Sequence, residues 1–345
     1  MNTFKQTLLT FLAVISLSVL GSRVQAQQSN SDGYRAAVQD YNKANKLAKN
    51  KQYAQAIDAY KKAISKAQGG GQKSSKLIKL SKKQLPALYY REAFNAYSTF
   101  QKSQTVGNLD NTIQAFKKAV NAGNQYGSQS IVSKANDKIT RLMYMKSVLQ
   151  YSNKNYADAL KTANKTINRN ANYADAYYQK ALILKKQNKM DDAYSAFDNA
   201  IKVGKKTGNS TIVSKAQQNA SGTLVYQGAQ EIKNKHYSSA ITMLKRAINK
   251  YNPKEADAYY RLASAYNHLG KYNEALNYAK KGLNIETGGR AAKAEYYYEE
   301  GKAYQGLNKK SSACKAFANA LYGDFKNSSH HIMKYELKCK QTQSN

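Results

Sequence analysis

The chain has 345 residues, and its 55 Lys and Arg against 21 Asp and Glu leave a formal charge of +34, far beyond what solubility alone asks for. Its apolar residues recur at helical spacing, which excludes a disordered polymer, and only 2 Pro suits a chain that is nearly all helix, since Pro breaks helices. There are 29 Tyr and no Trp.

The N-terminus reads as a secretory signal over residues 1–26. Lys5 supplies a positive start, Leu8 to Gly21 is mostly apolar, and Val24-Gln25-Ala26 places small residues for cleavage. That run is too short for a comfortable membrane span, and no later stretch is apolar enough to replace it. The expectation is an exported mature chain from Gln27, without a transmembrane helix. No Cys stands at the cleavage point to carry a lipid. Residues 27–36 are expected to form a linker.

From residue 37 to 327 one unit recurs. In Ala174–Val203, Tyr177, Ala181 and Leu184 fall on one helical face, a polar turn follows at Lys186–Lys189, and a second helix carries Ala193, Phe197 and Ala200. Small residues let the two helices approach, and Phe197 fills the space between them. In chain order, related units begin near Ala37 (Ala44, Ala56, Tyr60, Ala63), Pro86 (Tyr89, Ala93, Thr112, Phe116, Ala119) and Thr140 (Met143, Ser147, Ala159, Ala163, Thr166). After Ala174 come units near Ser221 (Leu224, Gly228, Ala240, Leu244, Ala247), Ala256 (Tyr259, Ala263, Tyr266, Ala275, Gly282) and Ala294 (Tyr297, Gly301, Tyr304, Ala313, Phe317, Ala320).

The string IVSKA occurs at Ile131–Ala135 and again at Ile212–Ala216. Each copy follows a Gly pair, Gly123 with Gly127 or Gly204 with Gly208, expected to stop the previous helix. Ser130, Ser210 and Thr211 are candidate caps for the helix that follows. The second, third and fifth units should therefore have lengthened first helices, with the Ile-Val pair as their first buried turn. Residues 328–345 are expected to form a capping helix and tail, with Ile332, Tyr335 and Leu337 facing inward.

This pattern resembles the tetratricopeptide repeat, which has an aromatic, small residues and a further aromatic at fixed places in a helical hairpin. The resemblance implies an all-α fold, an α-solenoid of about seven helix-turn-helix repeats in which each hairpin buries its apolar face against its neighbours. It also implies that position 5 of each first helix faces a groove. Here those positions hold Tyr41, Tyr90, Tyr144, Tyr178, Tyr260 and Tyr298, with Val225 followed by Tyr226 in the fifth repeat. A tyrosine ladder gives broad apolar contact with polar tips, which suits a peptide or protein segment. The family's clamp for acidic C-termini needs Lys where Tyr stands, so that activity does not carry over.

The turns within hairpins are basic, with Lys185, Lys186, Lys189, Lys233, Lys235, Lys309 and Lys310 along one edge, and second helices carry doublets such as Lys61-Lys62, Lys245-Arg246 and Lys280-Lys281. An anionic envelope component or other polyanion is thus the alternative partner to a protein segment. No catalytic residue, cofactor site or metal site is expected, nor a small-molecule substrate: the four His lack metal spacing, and Glu295, Glu299 and Glu300 read as one turn of a helix face. Export places Cys314 and Cys339 in an oxidising space where they can pair, the alternative being two buried free thiols. The C-terminal layout of ACKAF, GDF and LKC resembles secreted, periplasmic tetratricopeptide proteins of Bacteroidota.

Overall fold

The computed structural model describes residues 31–339. The expected signal segment lies outside the described residues. The chain divides into two compact units, with the boundary between Ala171 and Asn172. Each is an α-solenoid of consecutive helix pairs, with no strand among the described residues.

The first unit holds three hairpins: α1 (31–49) with α2 (Tyr53–Lys66), α3 (Gln72–Lys102) with α4 (Val106–Gln125), and α5 (Gln129–Ser152) with α6 (Tyr156–Arg169). The second holds four: α7 (Ala174–Lys186) with α8 (Met190–Thr207), α9 (Ser210–Lys233) with α10 (Tyr237–Arg246), α11 (Ala256–His268) with α12 (Tyr272–Ile285), and α13 (Arg290–Gly306) with α14 (Lys310–Asn319). A short helix α15 (Lys326–His331) and a π-turn over Ile332–Glu336 follow. The lengthened first helices are α3 at 31 residues and α5 and α9 at 24, against 13 for α7 and α11.

The turn inside each hairpin has a local cause. Six of them place one residue at positive φ: Lys51, Lys154, Asn188, Lys235, Gly270 and Asn308. The amide of Lys51 donates to Ala48 O (3.1 Å) and that of Gln52 to Leu47 O (3.0 Å), a pairing repeated at Lys154 and Asn155. This pair of hydrogen bonds satisfies carbonyls left open at the helix end and offsets the cost of a left-handed Lys. In the second hairpin the chain instead extends at Ser103 and restarts at Thr105, whose side chain accepts from Asn108 N at 3.1 Å.

The core follows the small-and-large pattern. Ala44, Ala56, Ala63, Ala181, Ala193 and Ala200 are all essentially buried, and Phe116, Phe197 and Phe317 fill the hairpins beside them. The two IVSKA copies sit alike, but Gly123 and Gly204 do not stop helices. They lie inside α4 and α8, where a Cβ would meet Val132 Cγ2 at 2.7 Å and Val213 Cγ2 at 2.8 Å. These glycines let the next first helix dock, and the stops are Gly127 and Gly208, both at φ +73. The caps also differ from the expected ones. Asn209 caps α9 by accepting from Ile212 N (3.2 Å), and Ser128, without a side-chain bond, precedes α5.

The structure differs from expectation at both ends of the described chain. Residues 31–36, read as linker, are helical, since α1 continues past Ala37. In the C-terminal cap Ile332 is buried and Leu337 packs beside Phe317, but Tyr335 is 59% exposed and lies against the His331 ring, so it does not face inward. A disulfide joins Cys314 in α14 to Cys339, tying the cap to the last hairpin.

Candidate functional site

The ladder tyrosines occupy equivalent places on successive first helices, and most of them also pack. In the first unit the Tyr41 ring meets Tyr60 edge-on at 5.5 Å and Tyr90 meets Phe116 at 5.5 Å; Tyr144 is half-buried. In the second unit Tyr178 lies 6.1 Å from Phe197, and its hydroxyl accepts from Asn219 Nδ2 on α9 at 2.9 Å. Each such ring covers the aromatic that fills its own hairpin, so a rung is half core and half surface. Burial accordingly pushes the hydroxyls of Tyr90, Tyr260 and Tyr298 above the usual phenol range.

The fifth repeat breaks the series. Val225, at the ladder position, is buried, and Tyr226 stands 66% exposed one residue later. Asn219 and Tyr226 are seven residues apart on α9 and share a helix face. Asn219 thus ties α9 to Tyr178 on α7, and Tyr226 stands exposed two turns farther along the same face of α9. Farther along, the last rungs are covered. Phe325, from the turn Gly323–Phe325, lies 6.2 Å from Tyr260 and 5.0 Å from Tyr298. The sequence reading missed this contact, and the GDF string before the cap carried the signal.

The acids behind these rungs are not a solvated face. Glu299 is 2% exposed, accepts from Asn267 Nδ2 at 2.7 Å and lies 3.4 Å from Lys302 Nζ. Glu295 is pushed up to about 7, first by burial and then by the nearby Asp257 charge. Burial also raises Glu300, against the opposing pull of Lys280.

The lysines of the hairpin turns differ little in exposure. Lys186, Lys189, Lys233, Lys235, Lys309 and Lys310 are exposed, Lys185 is partly covered, and none makes an ion pair among the described residues. The second-helix doublets behave differently, because several lie over tyrosine rings. Lys61 is 5.5 Å from the Tyr89 ring centre, Lys245 is 5.5 Å from Tyr266, and Lys280 is 5.8 Å from Tyr304. In each case a second helix reaches the next first helix through a cation–π contact, which links the abundance of Lys to that of Tyr.

Among the described residues no group of three or more His, Cys, Asp or Glu could hold a metal ion, and no helix is long and apolar enough to cross a membrane.

Two stretches of the second unit, residues 174–203 and 231–296, match models of the tetratricopeptide repeat. No curated protein matches the chain. Among solved structures, YrrB, described as a tetratricopeptide-repeat protein with an unusual peptide-binding site, is 18% identical, covering 60% of this chain and 97% of its own, with a TM-score of 0.35. MamA from Desulfovibrio magneticus RS-1 is 18% identical over 55% of this chain and 96% of its own, with a TM-score of 0.34. A tetratricopeptide-repeat protein from Parabacteroides merdae is 16% identical over 87% of this chain and 98% of its own, with a TM-score of 0.28.

Proposed function

This is a tetratricopeptide-repeat protein, and on that premise we propose that it is a non-catalytic, exported scaffold of the periplasm that holds a segment of another protein against the first helices of its second unit. The observation that carries this reading is Tyr226. A large aromatic left 66% exposed, on the same face of α9 as the Asn219 that bonds Tyr178, has no packing duty that would account for it. Tyr is among the residues that most often anchor a partner when an interface buries it. The binding face centres on Tyr178 and Tyr226, because Phe325 already covers Tyr260 and Tyr298. The periplasmic address rests on the signal-like residues 1–26 and suits the Cys314–Cys339 disulfide, which an oxidising compartment preserves.

The test is photo-crosslinking in the native host. A benzophenone amino acid at position 226 should capture one discrete protein, and the same probe at position 335, another exposed Tyr, should not. Tyr178→Ala and Tyr226→Ala should each weaken binding of the captured protein by about 1 kcal/mol or more while the helical signal is retained. Equal capture at both positions, or unchanged binding by both variants, would overturn the reading.

A further inference from the structure

Between Asp58 and Glu92 the chain carries nine basic residues and no acid. Five of them, Lys73, Lys76, Lys79, Lys82 and Lys83, lie in the first half of the lengthened helix α3. Local physics disfavours them there. Neighbours three and four apart on a helix stand about 5–6 Å from one another, so like charges repel. The N-terminal end of a helix also repels cations, and the first turn of α3 holds no acid to compensate. None of Lys79, Lys82 and Lys83 makes an ion pair among the described residues. A sequence that breaks helix rules without local compensation marks a place selected for something other than folding.

These lysines line a trough. One face of the first half of α3 packs through Leu77 against Ala37 and Ala67, and its other side borders a groove of about 1030 Å³ between the ends of α2 and α4. Its walls include Lys79, Lys82, Lys83, Gln68, Gln125 and Tyr126, with no carboxylate. A second groove of about 630 Å³ shares Gln125 and Tyr126 and continues along α3, where Lys61 and Lys118 are balanced by Asp58 and Glu92. The charge is therefore concentrated at one end of a trough between neighbouring second helices. It is distinct from both the tyrosine ladder and the lysines of the hairpin turns.

We infer that this trough of the first unit binds a segment of acidic polysaccharide. Two adjoining grooves along one side of α3 fit a single polymer strand better than a flat bilayer surface. Lysines on successive helical turns match charges that repeat along a strand. The neutral lining of amides and hydroxyls, with Ser75 and Ser128 beside the two Gln, can pair with a hydroxyl-rich chain. Tyr126 offers a ring for one sugar face. A single-stranded nucleic acid would instead call for several aromatic platforms, and the basic end has one.

The experiment measures binding of the mature protein to polygalacturonate and to dextran sulfate, which separate a carboxylated from a sulfated source. Neutral dextran, polyglutamate, oligothymidylate and phosphatidylglycerol vesicles serve as comparators. At least one acidic polysaccharide should bind more tightly than every comparator and release with salt. The K79Q/K82Q/K83Q variant should lose about tenfold or more in affinity, whereas K185Q/K186Q/K189Q should lose little. In the unaltered protein the bound polysaccharide should protect Lys79, Lys82 and Lys83 from acetylation, a readout that needs no variant to fold. Equal or tighter binding to polyglutamate, oligothymidylate or vesicles would overturn the inference. So would equal loss in both triple variants, or acetylation unchanged by the polysaccharide.

Discussion

The two units are built from the same hairpin, and the two stretches that match the repeat models, residues 174–203 and 231–296, both lie in the second. The difference lies in how the small positions are filled. Where the second unit uses Ala193, Ala240, Ala275 and Ala313 at the start of its second helices, the first unit has Ala56, Thr112 and Ala159. Where the second has Ala181, Gly228, Ala263 and Gly301 in its first helices, the first has Ala44, Ala93 and Ser147. Thr112 and Ser147 are both fully buried, which polar residues tolerate only when bonded. Thr112 donates to Asn108 O at 2.8 Å within its own helix, and Ser147 donates across the hairpin to Ala159 O at 2.8 Å. The fold demands small volume and a satisfied hydroxyl at these sites, and Ala is only one way to supply them.

If the hairpins are equivalent, removing the same filler from each unit should cost the same. Phe116 and Phe197 are both essentially buried at the centre of their hairpins. Phe116→Ala and Phe197→Ala should each destabilise by about 3–5 kcal/mol, through lost transfer energy and the cavity left behind. Chemical denaturation gives the magnitude, and amide exchange shows whether the loosening stays in the unit that carries the change. A near-neutral Phe116→Ala would mean that the first unit is held together by something other than this packing.

The hydroxyl substitutions sharpen the same comparison at smaller scale. Ser147→Ala removes a bond between the two helices of a hairpin and should cost about 1 kcal/mol in the denaturation midpoint analysis. Thr112→Val keeps the volume and removes a bond that only folds back on its own helix, so it should cost less than Ser147→Ala. The reverse order would show that volume, rather than the bond across the hairpin, decides what the position accepts.

Much of this architecture is legible from residues alone, because hairpin packing is periodic. Ala, Phe and Tyr recur at fixed offsets, and the Gly127 and Gly208 stops are visible before the lengthened helices α5 and α9. What periodicity does not reveal is which side of a helix a neighbour covers. Gly123 and Gly204 look like breakers, and only the position of Val132 and Val213 shows them as docking points. Glu299 reads only as part of one helix turn, and its burial against Asn267 of the adjacent first helix is not visible in the residues. The recurrence of tyrosines at one offset in the first helices is visible in the residues. The cover that Phe325 places over Tyr260 and Tyr298 is not, since that residue returns from beyond the last repeat.

The smallest expected effect tests the acidic end of the second unit, which has no counterpart in the basic trough of the first. Glu295 has an ordinary carboxyl value of 4.5, raised in the folded chain to about 7 by burial and by the Asp257 charge, with a bond from Tyr296 and the Arg261 charge opposing. Between these values the folded chain holds a proton that the unfolded chain has released. Stability from this group is therefore fully present below 4.5 and declines as pH rises towards about 7. Glu300 is raised as well, so the wild-type curve alone cannot isolate Glu295. The difference between wild type and Glu295→Gln can. It should be least unfavourable to the wild type near pH 4 and should shift in favour of the variant by about pH 8, measured as urea midpoints along the series. The change should be modest, because the side chain remains partly open to water, which screens its charge. A difference that stays flat across this range would show that Glu295 titrates as an ordinary surface carboxylate.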